Sequence, residues 1–234
     1  MLSLCLDTAT PMGVVAVADG PKLLSFVQWR SESRHGEDMF AHIDFALGEA
    51  GIERDQLERI GVDIGPGRFT GVRVGLSTAK GLALGLGLPL VGVHSLRVLA
   101  EGMDPLPDAI RIPLMNAYRG EIFAAAYGPT AGSGPALVEP FFGPPAEALR
   151  TLHDELDGRP VAVVGDGARK HIDLLRNIFA KLTESAEVCD TPSPEALIKE
   201  VDRLWSERGA ADLAALEPHY LKPSDAEPPA KSGR

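Results

Sequence analysis

The sequence predicts an α/β protein with two similar lobes facing a cleft, and three observations lead there. The chain has 234 residues, 44% hydrophobic and 24% charged, enough for one large domain or for two lobes of about 100 residues each. Short apolar strands are interleaved with segments of helical periodicity. The order β-β-β-α-β-α runs through the first half and starts again in the second, as a topological repeat with no residue-level repeat.

The first half opens with strands at Leu2–Leu6, Gly13–Ala18 and Lys22–Gln28. Turn formers at Asp7–Met12 and Asp19–Pro21 make them an antiparallel meander. The middle strand is apolar on both faces, so it is covered on both. A helix follows over His35–Ala50, with Met39, Phe40, Ile43, Leu47 and Ala50 at helical spacing. Glu37 and Asp38 suit its positive end, and Gly51 stops it. A strand at Ile60–Ile64 leads through Gly65-Pro66-Gly67 into a helix over Thr70–Gly87. Leu90–Val93 is another strand, and Ser95 is read as the cap of a short helix ending near Gly102. Met103–Asp108, with two prolines, reads as a hinge.

The second half repeats the order. Strands are expected at Ile110–Met115, Glu121–Tyr127 and Ala136–Phe142, then a helix at Pro145–Leu156. A strand at Pro160–Val164, a helix over Arg169–Leu182 and a strand near Ala186–Cys189 come next. Ser193-Pro194-Glu195 then starts a last helix, with Ser as cap and Pro in the first turn. The expected division is an N-terminal lobe over 1–102, a C-terminal lobe over 103–222 and a disordered tail over 223–234, rich in Pro, Ser and charge.

Composition narrows the function. The net charge of −10 argues against a chain that grips nucleic acid alone, because such proteins carry a basic face. There is no apolar run long enough for a membrane span. The first residues, MLSLCLDTAT, read as a strand and not as a signal peptide, so a cytoplasmic location is expected. Cys5 and Cys189 lie in apolar contexts outside any CxxC spacing and read as buried thiols. Among the six histidines no HxxxH or HExxH pair occurs, and no metal site or cofactor is expected. Ser33, Ser77 and Ser95 stand outside any nucleophile elbow.

The stretch from Gly65 to Gly75 is the most unusual. It joins a strand to a helix, where free N–H groups can hold an anion, yet it lacks the Gly-Lys-Ser/Thr of a Walker A loop. Gly67, Gly71, Gly75, Ala79, Ala83 and Gly87 recur every four residues along the helix. Each glycine weakens a helix by about 1 kcal/mol relative to alanine, so the stripe needs a packing reason. It is either a close contact within the chain or a helix–helix interface with another subunit. Asp7 and Thr8 end the first strand, and Asn116 stands at the equivalent turn of the second half. In a phosphotransfer fold, carboxylates at these turns position metal and phosphates. An amide at the second turn speaks against that chemistry. Asp7, Thr8, Gly65, Gly67 and Asn116 are the candidate phosphate or nucleotide contacts, and Gly165-Asp166-Gly167-Ala168 could approach an adenine.

Leu6-Asp7-Thr8-Ala9-Thr10, Gly65-Pro66-Gly67-x-Phe69-Thr70-Gly71-Val72-Arg73-Val74-Gly75, Ala79-Lys80-Gly81-Leu82-Ala83 and Glu217-Pro218-x-Tyr220-Leu221 resemble the bacterial TsaB (YeaZ) family. The resemblance runs from Leu4 to about Lys222. It implies an actin/sugar-kinase/Hsp70-like fold and a role in making N6-threonylcarbamoyladenosine in tRNA. In that family the protein is a non-catalytic partner of its paralogue TsaD, with the ATPase TsaE joining them. For this chain, a homodimer through the same surface is expected when the partner is absent, because an exposed apolar helix pair seeks cover, and tRNA is expected to be met only through the complex. The paralogue's two metal-binding histidines fall on Ser95 and Leu99 here, beside His94. The family interface lies on the first two helices, which implies Met39, Phe40, Ile43, Leu47, Gly71, Val74, Gly75, Thr78, Ala79 and Leu82 as its residues here. Arg68 replaces a family serine, and Asn116-Ala117-Tyr118 replaces Asp-Ala-Arg. The rival readings are an ATPase or phosphotransferase of the same fold, which would need a second acid in the cleft, and a metallopeptidase.

Overall fold

The computed structural model describes residues 1–30, 35–103, 106, 108–117, 119–130, 134–186 and 190–221; it gives no account of the side chains of 35–37. Ser33, Tyr118, Cys189, the tail at 223–234 and half of the expected hinge (104, 105 and 107) lie outside the described residues.

The first lobe holds β1 (Leu2–Asp7), β2 (Met12–Asp19), β3 (Lys22–Arg30), α1 (His35–Ala50), β4 (Arg59–Asp63), α2 (Phe69–Leu86), β5 (Leu90–Val93) and α3 (Ser95–Glu101). The second holds β6 (Ile110–Asn116), β7 (Ile122–Ala126), β8 (Val138–Gly143), α4 (Pro145–Leu156), β9 (Val161–Val164), α5 (Asp166–Lys170), α6 (Ile172–Ile178), β10 (Leu182–Glu184) and α7 (Pro194–Arg208). The two five-stranded sheets run β3-β2-β1-β4-β5 and β10-β9-β6-β7-β8. Written from the other edge, the second order is the first. The repeat is therefore longer than the sequence predicts. It includes a fifth strand and a last helix in each lobe.

Two local readings are corrected. The expected helix over Arg169–Leu182 is broken at His171, which ends α5 and precedes α6. Its last residue belongs to β10, which pairs in parallel with β9 as Leu182↔Val161 and Thr183↔Ala162. Pairing to a sheet edge overrides local propensity here. The expected strand near Ala186 is thus found earlier, and residues 187–189 lie outside the described residues. Ser95 is not a cap either: it is the first residue of α3, the cap position is His94, and the Ser95 hydroxyl turns to Asp63. By contrast Ser193 caps α7, accepting from Ala196 N at 3.2 Å, with Pro194 in the first turn.

Each sheet is covered on both faces, and the last helices are exchanged. One face of the first sheet packs Leu4, Leu6, Val15, Val17, Ile60 and Val62 against Met39, Ile43 and Leu76 of α1 and α2. The other face packs Cys5, Val14, Ala16, Val91 and Val93 against Leu197, Ile198 and Val201 of α7, which comes from the second half of the chain. Reciprocally, Leu96, Leu99 and Ala100 of α3 pack against Met115, Phe123, Ala125, Ala162 and Val164 of the second sheet. Two buried arginines tie these helices down. Arg59 pairs with Asp202 of α7 and donates from Nε to Ser3 Oγ at 2.7 Å. Arg111 donates from Nη1 to Ala100 O at 2.7 Å, at the end of α3. Burying a cation is costly unless it is paired and hydrogen-bonded.

After α7 the chain crosses the first lobe as a strap. Ala211 N donates to Leu90 O at 2.8 Å and His219 N to Ile64 O at 2.7 Å. Leu216 lies against Gly92, where an added Cβ would come within 2.9 Å of it. No helix among the described residues is long and apolar enough to cross a membrane.

Candidate functional site

The sites expected from sequence lie in two places: at the ends of the parallel strands, and on α1 and α2. In the first lobe β1 pairs in parallel with β4 as Leu6↔Val62, so the next residues, Asp7 and Asp63, stand side by side. Both are sealed, at 0% and 1% exposure. Asp7 Oδ1 accepts from Ala9 N at 2.9 Å. Asp63 Oδ1 accepts from Gly65 N at 2.6 Å and from Ser95 Oγ at 2.7 Å. Their Oδ2 atoms are buried without another partner. Burial pushes the Asp7 carboxyl up to about 6, and burial together with the Asp7 charge holds Asp63 well above the usual carboxylate range. Two like charges this close cannot both ionise, so the pair holds a proton between them.

The turns around this pair are closed. Thr8 is buried and donates from Oγ1 to Gly71 O at 2.7 Å. Arg68 N donates to Ala9 O at 2.7 Å. One of the N–H groups that could hold an anion at the start of α2 is thus already used. Gly65, at φ +101°, takes a backbone form that side chains disfavour.

The second lobe repeats this geometry with other residues. Gly165 has φ +103° at the equivalent turn, and an added Cβ there would meet Leu114 O at 2.2 Å. Asn116 donates from N and Nδ2 to the two oxygens of Asp166, at 3.0 and 2.8 Å. Asp63 and Asp166 are the acids that sequence reasoning missed in this role. The sequence places the partner position of Asp7 at the Asn116 turn of the second half, whereas the acid beside Asp7 is Asp63 of its own lobe. Its signal was an aspartate at the end of an apolar strand, matching Asp7 once the strands are paired.

From Gly67 to Ala83 the stripe lies inside its own lobe, contrary to the expectation of a bared interface, while Gly87, its last member, is the exposed left-handed cap that ends α2. An added Cβ on Gly67 would meet Ala9 O at 2.4 Å, on Gly71 Thr8 O at 2.1 Å and on Gly75 Thr8 Oγ1 at 2.5 Å. Ala79 and Ala83 are buried under the sheet. The stripe lets the β1–β2 turn rest on the backbone of α2. Met39, Ile43 and Leu47 are likewise core residues. Of the expected interface set, Met39, Ile43, Leu47, Gly71, Gly75 and Ala79 therefore face inward, and Phe40, Val74, Thr78 and Leu82 remain at least partly open.

A different set of small residues faces outward. Gly48 on α1 and Gly81 and Gly85 on α2 would each carry a Cβ into open space. On the same two helices Phe40, Phe45 and Leu84 are 52%, 59% and 75% exposed. At the start of α2, Tyr220 from the strap stacks on Phe69 with centroids 5.1 Å apart. Arg73 lies 3.8 Å over the Phe69 ring and donates from Nε to Tyr220 Oη at 2.6 Å. The terminal motif thus anchors the strap to α2. Among the described residues no group of three His, Cys, Asp or Glu is placed to hold a metal ion.

Comparison with known proteins agrees with this architecture. The family model for TsaD, tRNA N6-adenosine threonylcarbamoyltransferase, matches residues 30–227. The tRNA threonylcarbamoyladenosine biosynthesis protein TsaB of Escherichia coli is 34% identical over 95% of this chain and 95% of its own. The solved structure of YeaZ from Pseudomonas aeruginosa has TM-score 0.77 at 21% identity, covering 94% of this chain and 99% of that one. A ROK hexokinase from Thermus thermophilus, with TM-score 0.51 and 15% identity over 88% of this chain and 99% of its own, shares the two-lobed actin/sugar-kinase/Hsp70-like fold. The chain belongs to the TsaB (YeaZ) family, within the wider group that the TsaD model describes.

Proposed function

We propose that this protein is a cytoplasmic, non-catalytic subunit in the synthesis of N6-threonylcarbamoyladenosine on tRNA. It docks on a TsaD-type catalytic subunit through the outward flanks of α1 and α2, with TsaE joining the pair, and with a second copy of itself when the partner is absent. The observation that carries this reading is the outward glycine set. A glycine inside a helix costs about 1 kcal/mol relative to alanine, and the inward glycines are explained by Thr8 and Ala9. Gly81 and Gly85 have nothing in front of them, so their reason lies outside the chain. Close approach of another helix is the reason that suits them, and Leu84, next to Gly85 in the chain, is exposed, as are Phe40 and Phe45 on α1, which supplies apolar surface for the contact.

The strand-end carboxylates support a non-catalytic role. Asp7 and Asp63 are closed to solvent, and Asp166 is held by Asn116. The net charge of −10 favours tRNA contact through the complex over a direct grip.

The test is co-purification with the TsaD-type subunit of the same host, using Gly81→Glu, a position whose Cβ points into open space. The variant is expected to melt no lower than the parent, since it removes a helix glycine, and to lose the partner. A folded variant that retains the partner overturns the reading.

A further inference from the structure

A cavity of about 790 Å³ lies between the lobes, behind the Asp63–Gly65 turn. It is separate from both the carboxyl pair and the outward faces of α1 and α2. Its size is that of small-molecule sites. Its walls are supplied by β5, the start of α3, the end of α7 and the strap on one side and by Tyr127, residues 134–136 and β8 on the other, with Val91, Leu204 and Leu216 among the apolar residues.

The polar lining is unusually short of partners. His94 and His219 meet edge to face, with centroids 4.7 Å apart, and each buries an Nδ1 that has no hydrogen-bond partner. Burial, with His219 beside it, holds the His94 imidazole down to about 4, and burial also lowers His219. Arg97, with its side chain 7% exposed, has one carboxylate nearby, Glu200 at 3.9 Å. That carboxylate is already engaged by both Nε and Nη2 of Arg203. Arg97 Nη2 donates to Gly134 O at 2.6 Å, but its buried Nε has no partner. Buried polar atoms left this way are uncommon and call for a reason.

Charge is also distributed in order. Arg208 acts on His94, and Glu139 acts on His219. All four line the cavity. The Arg208 and Glu139 side chains make no ion pair or hydrogen bond among the described residues. A free cation, two neutral imidazoles and a free carboxylate thus line one space, with apolar side chains around them. We propose that the cavity binds a small zwitterion with an apolar body, a free amino acid or a dipeptide, its carboxylate toward Arg208 and Arg97 and its ammonium toward Glu139. A simple anion would leave Glu139 opposing it, and a simple cation would leave the arginines opposing it.

The test is a titration of the full-length protein followed by the histidine ring signals in NMR. The probes are leucine and the dipeptide leucyl-glycine, with acetate and methylammonium as single-charge controls. Saturable shifts of the His94 and His219 rings are expected with one or both zwitterions, and the stronger of the two identifies the source. Arg208→Ala and Glu139→Gln, both at exposed positions, are each expected to weaken binding about tenfold, the worth of one charge-assisted contact. The proposal is overturned if neither zwitterion shifts the rings, if acetate or methylammonium alone shifts them as strongly, or if the two variants bind like the parent.

Discussion

Asp7 and Asp63 form one unit whose protonation is linked to folding. A carboxyl held above its ordinary value by folding binds more protons in the native state than in the unfolded chain. Its contribution is complete below the ordinary value of 3.8 and is lost as pH rises through about 6. Stability should therefore fall as pH rises from about 4 through 7, by way of Asp7 up to about pH 6 and by way of Asp63 across that range and beyond it. Asp7→Asn keeps the shape, still accepts from Ala9 N and can donate an amide hydrogen to Asp63 in place of the shared proton. Its melting temperature should depend less on pH across that window than the parent's, and equal slopes would show that the pair is not the linked group. The sequence made Asp7 legible but not its partner. Asp63 becomes visible only when β1 and β4 are set in parallel register, which no local pattern specifies.

At the scale of the element, α2 shows what periodicity reveals and what it leaves open. A four-residue recurrence of small side chains was readable, and so was the need for a close neighbour. The identity of that neighbour was not, because a turn of the same lobe and a foreign helix impose the same demand on a stripe. Three-dimensional packing separates the two faces. Gly71→Ala would drive a Cβ to 2.1 Å from Thr8 O, a backbone atom that cannot swing away. It should destabilise the protein by about 1–3 kcal/mol, the usual cost of overpacking. Gly81→Ala, with open space before it, should stabilise the free protein by about 0.5–1 kcal/mol, because alanine narrows the unfolded ensemble and suits a helix. Denaturant unfolding of the two variants gives both signs directly. If both destabilise, the outward stripe is not outward. The helix over Arg169–Leu182 failed for a related reason. Its residues are acceptable helix formers, but the edge of β9 offers backbone partners to Leu182–Glu184 that an isolated pattern cannot display.

Across the whole molecule, the repeat explains why two halves that look independent in sequence are one folding unit. Each lobe donates its last helix to the other: α3 covers the second sheet and α7 covers the first. The contact is tight. An added Cβ on Gly61 of β4 would meet Val201 of α7 at 2.4 Å, and Arg59 spans from the same strand to Asp202. A chain cut after residue 102 would leave Cys5, Val14, Ala16, Val91 and Val93 of the first half without their cover, and α3 without a sheet to cover. At about 25 cal/mol per Å² of apolar surface, one uncovered sheet face is worth more than the net stability of an ordinary domain. Residues 1–102 and 103–234, expressed separately, should each be insoluble or lack a cooperative melt. Expressed together, they should recover a cooperative transition, because the exchanged helices need only find their sheets. A first half that melts cooperatively by itself would mean that α7 is dispensable to the first sheet, and the interlocked account of the fold would then be wrong.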